Sequence, residues 1–494
     1  MKNNQLMIRG DYLLKLNRKS PIPLRRQVEA YITNQIATGE WAIGSQLPSQ
    51  RVLAERLRVN RSTVTAAFDE LTAQGLIAGN RGGGTQVINN TWGLMAKQKP
   101  ADWGAYVEAG QFKPNLPMIR TINQAEFIPD IIRLGTGELS PDLIPSNDLA
   151  KLFLNVSTHG MSLGYSEPKG NLRLREEVSK FLKPKGVAAD PESVLIVSGA
   201  LQALQLISIG LLDRGSTIVL EKPSYLYSVH VFQSSGMRFY GLPMDSEGLM
   251  VDCLSQINKE RGKTIVYSIS TFHNPTGKVM TSARRKSILN VCERMRLPII
   301  EDDVYRDLWI DAPPPPSLKS MDHSGNVLYI GSLSKVLSPG LRIGWIVGER
   351  SVINRLADIK MQNDYGSSAL SQWAAEECMR SGMYEAHASY VRDQLRIRRD
   401  YMLDLLSVYF SDLAKWSSPS GGFYVWLKLI PDIDPNTLFE CALANGILLN
   451  PGVVYDRAAS HYLRLSYAYA SINEMDQAIP ALRKLIVNLA EEKV

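Results

Sequence analysis

The sequence predicts an α/β protein in which a small helical unit with a β-hairpin precedes a much larger unit built on a mostly parallel sheet. The chain has 494 residues, which is too long for one ordinary domain, because domains commonly have about 100–200 residues. Hydrophobic residues make up 45% of it and charged residues 21%, as in folded proteins with a core. Beyond residue 130, short apolar runs alternate with helical stretches, which is typical of parallel strands covered by helices.

The first predicted helix lies in PLRRQVEAYITNQIATG, at residues 23–39. Apolar side chains recur there at a spacing of three to four residues, which is the period of one helix face. These residues are Leu24, Val28, Tyr31, Ile32 and Ile36. Gly39 stands where such a helix would end. We therefore expect one amphipathic helix.

Two short helices and a hairpin are predicted next. Ser49 is an N-cap candidate for VLAERL, and a polar break at residues 59–61 precedes STVTAAFDELTAQGL. After Gly75, LIAGNRGGGTQVI has the pattern of a strand, a glycine-rich turn and a second strand. Helix, helix-turn-helix and hairpin is the order of a winged helix, whose recognition helix enters a major groove about 12 Å wide. The net charge of +6 is modest, but arginines are concentrated here.

The stretch LPSQRVLAERLRVNRSTVTAAFDELTAQGLI resembles the GntR family of transcription regulators, and the resemblance extends over residues 21–88. It implies a winged-helix DNA-binding domain at residues 1–88 that binds a double-stranded operator. The expected DNA contacts are Ser49, Arg51, Arg61, Ser62, Thr63, Thr65, Gly82 and Gly83. The simpler alternatives are that the arginines form a solvated basic face and that the glycines only make the wing turn.

A linker is predicted at residues 89–120, because periodicity weakens there and Pro100 and Pro114 appear. A short helix around residues 103–107 is expected inside it. The larger domain is then expected at residues 121–494. Its strand candidates are VLIVSG, STIVLEKPSY, TIVYSIS, LPIIEDD, VLYIGSLSK and IGWIVG.

Residues that end three of these strands suit a cofactor bound to a lysine as a Schiff base. Lys335 follows a strand in GSLSKVLSPGLRIGW, and hydroxyls and a guanidinium in the same loop suit a phosphate. Those phosphate candidates are Ser332, Ser334 and Arg342. Asp302, which ends the strand in IIEDDVYRDL, could keep a pyridinium charged, and Tyr305 could donate to a ring oxygen.

Two further segments complete this constellation. Asn274 in FHNPTG offers a side-chain amide to a phenolate oxygen of the same ring. VSGALQAL runs from a strand into a helix, so the backbone amides of Gly199, Ala200 and Leu201 would point at an anion.

From Leu134 to Ala468 the chain resembles the fold-type I aminotransferases, which bind pyridoxal 5'-phosphate (PLP). The resemblance implies that Lys335 binds PLP covalently, that Asp302 pairs with the pyridine nitrogen, and that Tyr225 stacks on the ring. Asn274 and Tyr305 would hold the ring hydroxyl. The phosphate ligands would be Ser332, Ser334, Arg342, the amides of Ala200 and Leu201, and Tyr165 of a neighbouring subunit. Arg464 would bind the α-carboxylate of an amino acid beside Gly137.

Several of these residues have a simpler interpretation. Taken alone, Lys335 could be a surface lysine, Asp302 an ordinary strand-end acid and Asn274 a turn residue before proline. Tyr165 and Tyr225 could be core aromatics, and Arg464 could pair with a local acid.

A GntR-type winged helix followed by an aminotransferase-like domain is the arrangement of the MocR subfamily, which this chain resembles throughout its length. It implies a regulator that senses an amino acid, an amine or PLP itself, and a homodimer with domains swapped head to tail. Tyr227 stands where a sensor of a GABA-like ligand would carry a second arginine, so a distal carboxylate has no obvious partner. The alternative function is a working PLP-dependent aminotransferase that carries a DNA-binding domain.

Membrane and metal proteins are not indicated. No apolar run approaches the roughly 20 residues of a membrane span, and a cytoplasmic protein is expected. The four cysteines are far apart without nearby histidine, which favours core thiols over zinc or disulfides. They are Cys253, Cys292, Cys378 and Cys441.

Overall fold

The computed structural model describes residues 16–18, 20–80, 84–89, 103–110, 115–154, 164–255 and 263–491. It divides the chain into two compact units, Met1–Gln111 and Phe112–Val494. No helix in these described ranges is long and apolar enough to cross a membrane.

The first unit is a helix, a helix-turn-helix and a hairpin. Its elements are α1 (Leu24–Ala37), α2 (Gln50–Leu57), α3 (Arg61–Ala73), β1 (Ile77–Asn80), β2 (Gly84–Val87) and α4 (Trp103–Ala109). The apolar stripe of α1 is buried against Phe68 and Leu71 of α3. Ser49 caps α2, since its Oγ accepts a hydrogen bond from the Val52 amide at 3.3 Å. β1 and β2 pair antiparallel, which confirms the predicted winged helix-turn-helix.

The second unit contains an eight-stranded sheet and two smaller ones. The strands are β3 (Ile132–Arg133), β4 (Val194–Val197), β5 (Thr217–Lys222), β6 (Arg238–Asp245), β7 (Gly248–Leu249), β8 (Thr264–Ser268), β9 (Ile299–Asp302), β10 (Val327–Ser332), β11 (Gly344–Val347), β12 (Ala414–Lys415), β13 (Tyr424–Leu429), β14 (Ile447–Leu448) and β15 (Tyr462–Ser466). The large sheet has the order β4-β11-β10-β9-β8-β5-β6-β7. Only β11 and β7 run against their neighbours, which confirms the mostly parallel sheet.

Helices surround these sheets. They are α5 (Pro117–Ala125), α6 (Ser146–Leu154), α7 (Leu172–Leu182), α8 (Ala200–Leu211), α9 (Val231–Ser234), α10 (Val251–Ser255), α11 (Ser282–Met295), α12 (Arg350–Asn363), α13 (Ala369–Arg380), α14 (Met383–Tyr409), α15 (Pro435–Ala444) and α16 (Ile472–Glu491). α5 begins inside the segment expected as a linker, and its Ile119 and Ile122 are buried in the core of the second unit.

The central strands are buried on both faces, as parallel strands covered by helices must be. Every residue of β4, β9 and β10 is buried. Because β8, β9 and β10 run parallel, their carboxyl ends meet at one edge of the sheet. That edge brings together the loops that carry the predicted site.

The cysteines differ in burial. Cys292 and Cys378 are buried, whereas Cys253 and Cys441 are partly exposed. Cys253 packs against a core cluster from its edge, so the expectation of fully buried core thiols holds for Cys292 and Cys378 but not for Cys253 and Cys441.

Candidate functional site

Asp302 ends β9 as a buried carboxylate, with 4% of its surface exposed. The hydroxyl of Tyr267 on β8 donates to its Oδ2 at 2.8 Å. Its other oxygen, Oδ1, is buried and has no hydrogen-bond partner within the described part of the chain. Burial raises the pKa of this carboxyl to about 6. The Tyr267 hydroxyl thus holds one oxygen in place, and the other has no hydrogen-bond donor among the residues that the structure describes.

Arg464 on β15 lies in a shell of neutral acceptors and aromatic rings. Its Nη1 donates to Asn274 Oδ1 at 2.9 Å and its Nη2 to the Gly135 carbonyl at 2.5 Å. The guanidinium carbon lies 4.2 Å from the centre of the Tyr424 ring. The Tyr424 hydroxyl in turn lies 3.1 Å from that of Tyr305, and Asn274 Nδ2 donates to Tyr305 at 3.5 Å. The predicted residues Asn274, Tyr305 and Arg464 therefore form one connected group.

Lys335 joins this group from the loop after β10. Its Nζ donates to the Gly137 carbonyl at 2.6 Å and lies 5.8 Å from the centre of the Tyr305 ring. A Cβ built on Gly137 would lie 2.5 Å from the Tyr424 hydroxyl and 3.6 Å from Arg464 Nη2. The amine, the guanidinium and the glycine thus border one small space.

We expect Gly137→Ala to block this space while leaving the protein folded. The added methyl group overlaps the Tyr424 hydroxyl, and relieving such overpacking typically costs about 1–3 kcal/mol. An amine ligand bound between Lys335 and Arg464 should then bind about 10- to 100-fold more weakly by spectral titration. Gly340→Ala is the matched control, because its Cβ would meet only Ser338 Oγ, at 3.5 Å. Equal effects of the two variants would contradict this role of Gly137.

An anion cup, formed by residues 198–201 and Arg342, lies at the start of α8. Gly199 is the N-cap of α8 and has a φ of +87°. Its amide donates to the Val197 carbonyl at 2.9 Å, so the expectation that this amide points at an anion is wrong. Arg342 Nη2 donates to the Ser198 carbonyl at 2.9 Å. A Cβ on Gly199 would lie 2.6 Å from that nitrogen, so only glycine leaves room there. A helix N-terminus beside a guanidinium is a site for an anion.

Ser332 and Ser334 are buried next to Lys335. The Ser332 hydroxyl donates to the Ile343 carbonyl at 3.0 Å and lies 3.1 Å from Ser334 Oγ. The Ser332 hydroxyl therefore also fixes the loop that carries the lysine.

The two predicted tyrosines lie in different surroundings. Tyr225 is half-buried, its amide donates to the Asn274 carbonyl at 3.2 Å, and burial raises the pKa of its phenol to about 12. Tyr165 is 85% exposed, and its ring lies 4.9 Å from the ring of Tyr365. Tyr227 packs edge-on against Phe239, with 5.4 Å between ring centres.

Six of the residues predicted to contact DNA lie at the N-cap of α2 or within α2 and α3, namely Ser49, Arg51, Arg61, Ser62, Thr63 and Thr65. Arg51, Arg61 and Ser62 are exposed and Thr63 is half-buried. The Thr65 hydroxyl lies 3.0 Å from Gln50 Oε1 and donates to the Arg61 carbonyl at 3.1 Å, so it links the two helices. Gly82 and Gly83 lie outside the described residues.

Several residues of the site were not predicted. Tyr267 orients Asp302, and Tyr424 lies between Tyr305 and Arg464. Asn450 donates to the Gly135 carbonyl at 3.1 Å and accepts from Tyr455 at 3.0 Å. The one signal for Tyr267 is a polar ring tip in an otherwise apolar strand next to the strand that ends in an acid.

Two protein-family models match the chain. The model for bacterial regulatory proteins of the gntR family matches residues 24–87, and that for aminotransferase class I and II matches residues 129–482. The uncharacterized HTH-type transcriptional regulator YisV of Bacillus subtilis (strain 168) is 52% identical over 465 residues, covering 94% of this chain and 96% of YisV. The HTH-type transcriptional regulator NorG of Staphylococcus aureus (strain USA300) is 35% identical over 445 residues, covering 88% and 98%.

Solved aminotransferases resemble the second unit. The kynurenine aminotransferase of Pyrococcus horikoshii, in complex with PMP, has a TM-score of 0.71 and 30% identity, covering 76% of this chain and 95% of that one. An archaeal alanine:glyoxylate aminotransferase has a TM-score of 0.73 and 29% identity, covering 80% and 100%. The chain therefore belongs to the MocR subfamily of GntR-family regulators, in which a winged helix is joined to a fold-type I aminotransferase-like domain.

Proposed function

We propose that this chain is a PLP-dependent transcription regulator that binds operator DNA in the cytoplasm and senses an amino acid or amine through its second unit. The observation that carries the proposal is the buried Asp302 carboxylate, one oxygen of which has no hydrogen-bond partner among the described residues, at the sheet edge that also carries Lys335.

The residues fit PLP in three respects. Asp302 Oδ1 offers a buried acceptor to the protonated ring nitrogen. The anion cup offers the backbone amides of Ala200 and Leu201, at the start of α8, and the guanidinium of Arg342 to the phosphate. Lys335 lies close to Tyr305, which with Asn274 would hold the ring hydroxyl. Tyr225 would stack on the ring, and Ser332 and Ser334 would line the phosphate side.

When bound, PLP supplies an aldehyde that reacts with amines and a ring that withdraws electrons. The side chains of the protein would position the cofactor and its ligand. Lys335 Nζ is held by the Gly137 carbonyl, and the ionised Asp302 would keep the ring nitrogen protonated. Two N–H groups of Arg464, now bonded to neutral acceptors, would instead bind a carboxylate bidentately, which is a stronger, charge-assisted pairing. Tyr227 offers no guanidinium, so a distal carboxylate is disfavoured.

The active form is proposed to be a homodimer whose chains exchange domains head to tail. In fold-type I proteins, a tyrosine of the partner subunit completes the binding site for the PLP phosphate. The exposed Tyr165 suits that role. A symmetric dimer also suits paired DNA half-sites. The small ligand can change operator affinity only if it binds two states of the dimer with different affinities. The ligand must then change the affinity for DNA by the same factor by which DNA changes the affinity for the ligand.

Arg61→Ala should reduce operator affinity about 5- to 150-fold, which corresponds to the 1–3 kcal/mol of a specific base contact. Arg61 is the first residue of α3 and is exposed, and the start of a recognition helix reaches base edges first. Fluorescence anisotropy with a labelled operator measures the loss. Arg25→Ala on α1, where Arg25 pairs with Glu29 at 3.1 Å, should change affinity less than about twofold. Equal losses would assign both arginines to general electrostatics.

The function is tested by titrating purified protein with a panel of amino acids and primary amines. The visible spectrum, keto-acid release and affinity for an operator selected from a random DNA library are measured together. A stable spectral shift without product, accompanied by changed operator affinity and absent in Lys335→Ala, is expected. Catalytic keto-acid release with unchanged DNA affinity would instead identify an aminotransferase. A response to PLP alone would make PLP the effector, and absence of any lysine-bound chromophore would refute the cofactor.

A further inference from the structure

The loop after α12 carries an aromatic side chain in a strained backbone conformation. Tyr365 has a φ of +57°, which is unfavourable for a residue with a Cβ and persists only where surrounding contacts enforce it. The enforcing contacts come from Asp364. Its Oδ1 accepts from Lys360 Nζ at 2.8 Å and from the Gly366 amide at 2.9 Å. Because Lys360 is fully buried, its ion pair with Asp364 anchors the loop.

The same contacts fasten the loop to the anion cup. Gln202, on the first turn of α8, donates to Asp364 Oδ2 at 2.6 Å. Its Oε1 accepts from Lys360 at 3.2 Å and from the Ser198 amide at 2.7 Å. The Ser198 carbonyl is the acceptor of Arg342. The position of Tyr365 is therefore set by the cup that would hold the PLP phosphate of its own chain.

Tyr365 nevertheless directs its ring outward, against Tyr165. The two ring centres lie 4.9 Å apart with an interplanar angle of 56°. The pair is strongly exposed, with 57% of Tyr365 and 85% of Tyr165 accessible. Two adjacent exposed aromatic rings that are held by a strained loop suit contact with a second copy of this chain rather than with water.

We propose that Tyr365 is a positioning residue that acts in trans, by holding Tyr165 in the orientation in which its hydroxyl reaches the PLP phosphate of the partner chain. This inference rests on the proposed PLP-binding dimer. The proposed role of Tyr365 couples the two PLP sites of the dimer. The loop of Tyr365 is held by the anion cup of its own chain, whereas the Tyr165 that it orients reaches the anion cup of the partner chain. Aromatic packing of this kind corresponds to about a three- to tenfold change in affinity.

Mixed dimers carrying two different affinity tags test the direction of this effect. Only a chain with Lys335 forms the lysine-bound chromophore, so PLP titration at visible wavelengths reports the site of that chain alone. One mixed dimer combines a Tyr365→Gly chain with a Lys335→Ala chain. The other combines a chain carrying both substitutions with a wild-type chain. Glycine is used because it tolerates the positive φ, so the fold is not strained further.

The first mixed dimer is expected to bind PLP at its Lys335 site as tightly as a dimer of wild-type and Lys335→Ala chains. The second is expected to bind about three- to tenfold more weakly. The reverse pattern would show that Tyr365 acts on its own cup, and equal affinities would show no role; either result overturns the inference while leaving PLP binding intact. No chromophore in the wild-type dimer would instead refute the proposed function.

Two further variants separate positioning from general stability. Tyr365→Phe keeps the ring and should retain wild-type PLP affinity. Tyr240→Gly removes another exposed tyrosine, with 51% accessible surface on β6, and should leave PLP affinity unchanged in both dimers. Loss of affinity in Tyr240→Gly would attribute the effect to destabilisation and overturn the inference.

Discussion

Asp302→Asn is expected to weaken PLP binding about 10- to 150-fold, which corresponds to the 1.5–3 kcal/mol of a hydrogen bond to a charged group. Asp302 Oδ1, which has no hydrogen-bond partner in the described part of the chain, is the acceptor proposed for the ring N–H. An amide in the same position carries no charge to stabilise a pyridinium. Titration of cofactor-free protein with PLP, followed by visible absorbance, measures the loss. Unchanged affinity would mean that the ring nitrogen does not meet Asp302.

The same substitution should stabilise the cofactor-free protein above about pH 6. Burial raises the pKa of Asp302 from 3.8 to about 6, so between these values the folded state binds more protons than the unfolded state. The free energy of unfolding therefore falls as pH rises through this window, by up to about 3 kcal/mol. Asparagine has no such penalty, and the Tyr267 hydroxyl can still donate to its amide oxygen.

The thermal midpoint of cofactor-free Asp302→Asn should therefore match that of the wild type near pH 4 and exceed it at pH 8. Asp190→Asn provides a control of opposite sign. The pKa of Asp190 is lowered by the Glu192 backbone amide and by Arg350, so its ionised form favours folding and its loss should lower the midpoint at pH 8. A midpoint of Asp302→Asn below that of the wild type at pH 8 would contradict the burial cost. Function and stability thus compete at Asp302.

Residues at strand ends could be predicted from the sequence because their chemistry is local. Asp302, Lys335 and Asn274 each come shortly after an apolar run, with polar residues between, and parallel strands bring such positions to one edge. Tyr267 and Tyr424 could not be predicted in this way. Their contacts depend on the register of β8 against β9 and on the approach of β13, which belongs to a separate small sheet. The hydrophobic periodicity of the sequence specifies neither the register of two strands nor the contact between two sheets.

The fold shows the same limit. Alternating apolar runs predicted the strands of the large sheet, but not the direction of β11, which returns antiparallel beside β10 after the loop at residues 333–343 that carries Lys335. The sequence also did not predict that the second unit begins with α5. This helix is short and polar on one side, and it contacts the core through its buried Ile119 and Ile122. No pattern in the sequence predicts the strained φ of Tyr365.

Arg285→Met is expected to lower the free energy of unfolding of the second unit by about 3–5 kcal/mol, the usual result of removing one member of a buried ion pair. Arg285 on α11 is fully buried. Its guanidinium donates to the Ser270 carbonyl at 2.7 Å and to Thr271 Oγ1 at 3.0 Å, and it lies 3.6 Å from Glu301 Oε1. Methionine fills a similar volume but leaves these acceptors unpaired in the interior.

Urea unfolding followed by circular dichroism measures this loss. Arg350→Met is the matched control, because Arg350 pairs with Asp190 at an exposed site where both side chains are at least half accessible, and such pairs contribute little to stability. Since the segment held by Arg285 leads directly to Asn274, PLP affinity should fall together with stability. A loss no larger than that of Arg350→Met would mean that the backbone amides of Leu318 and Lys319, which donate to Glu301 at 2.8 Å, are sufficient to hold this buried layer.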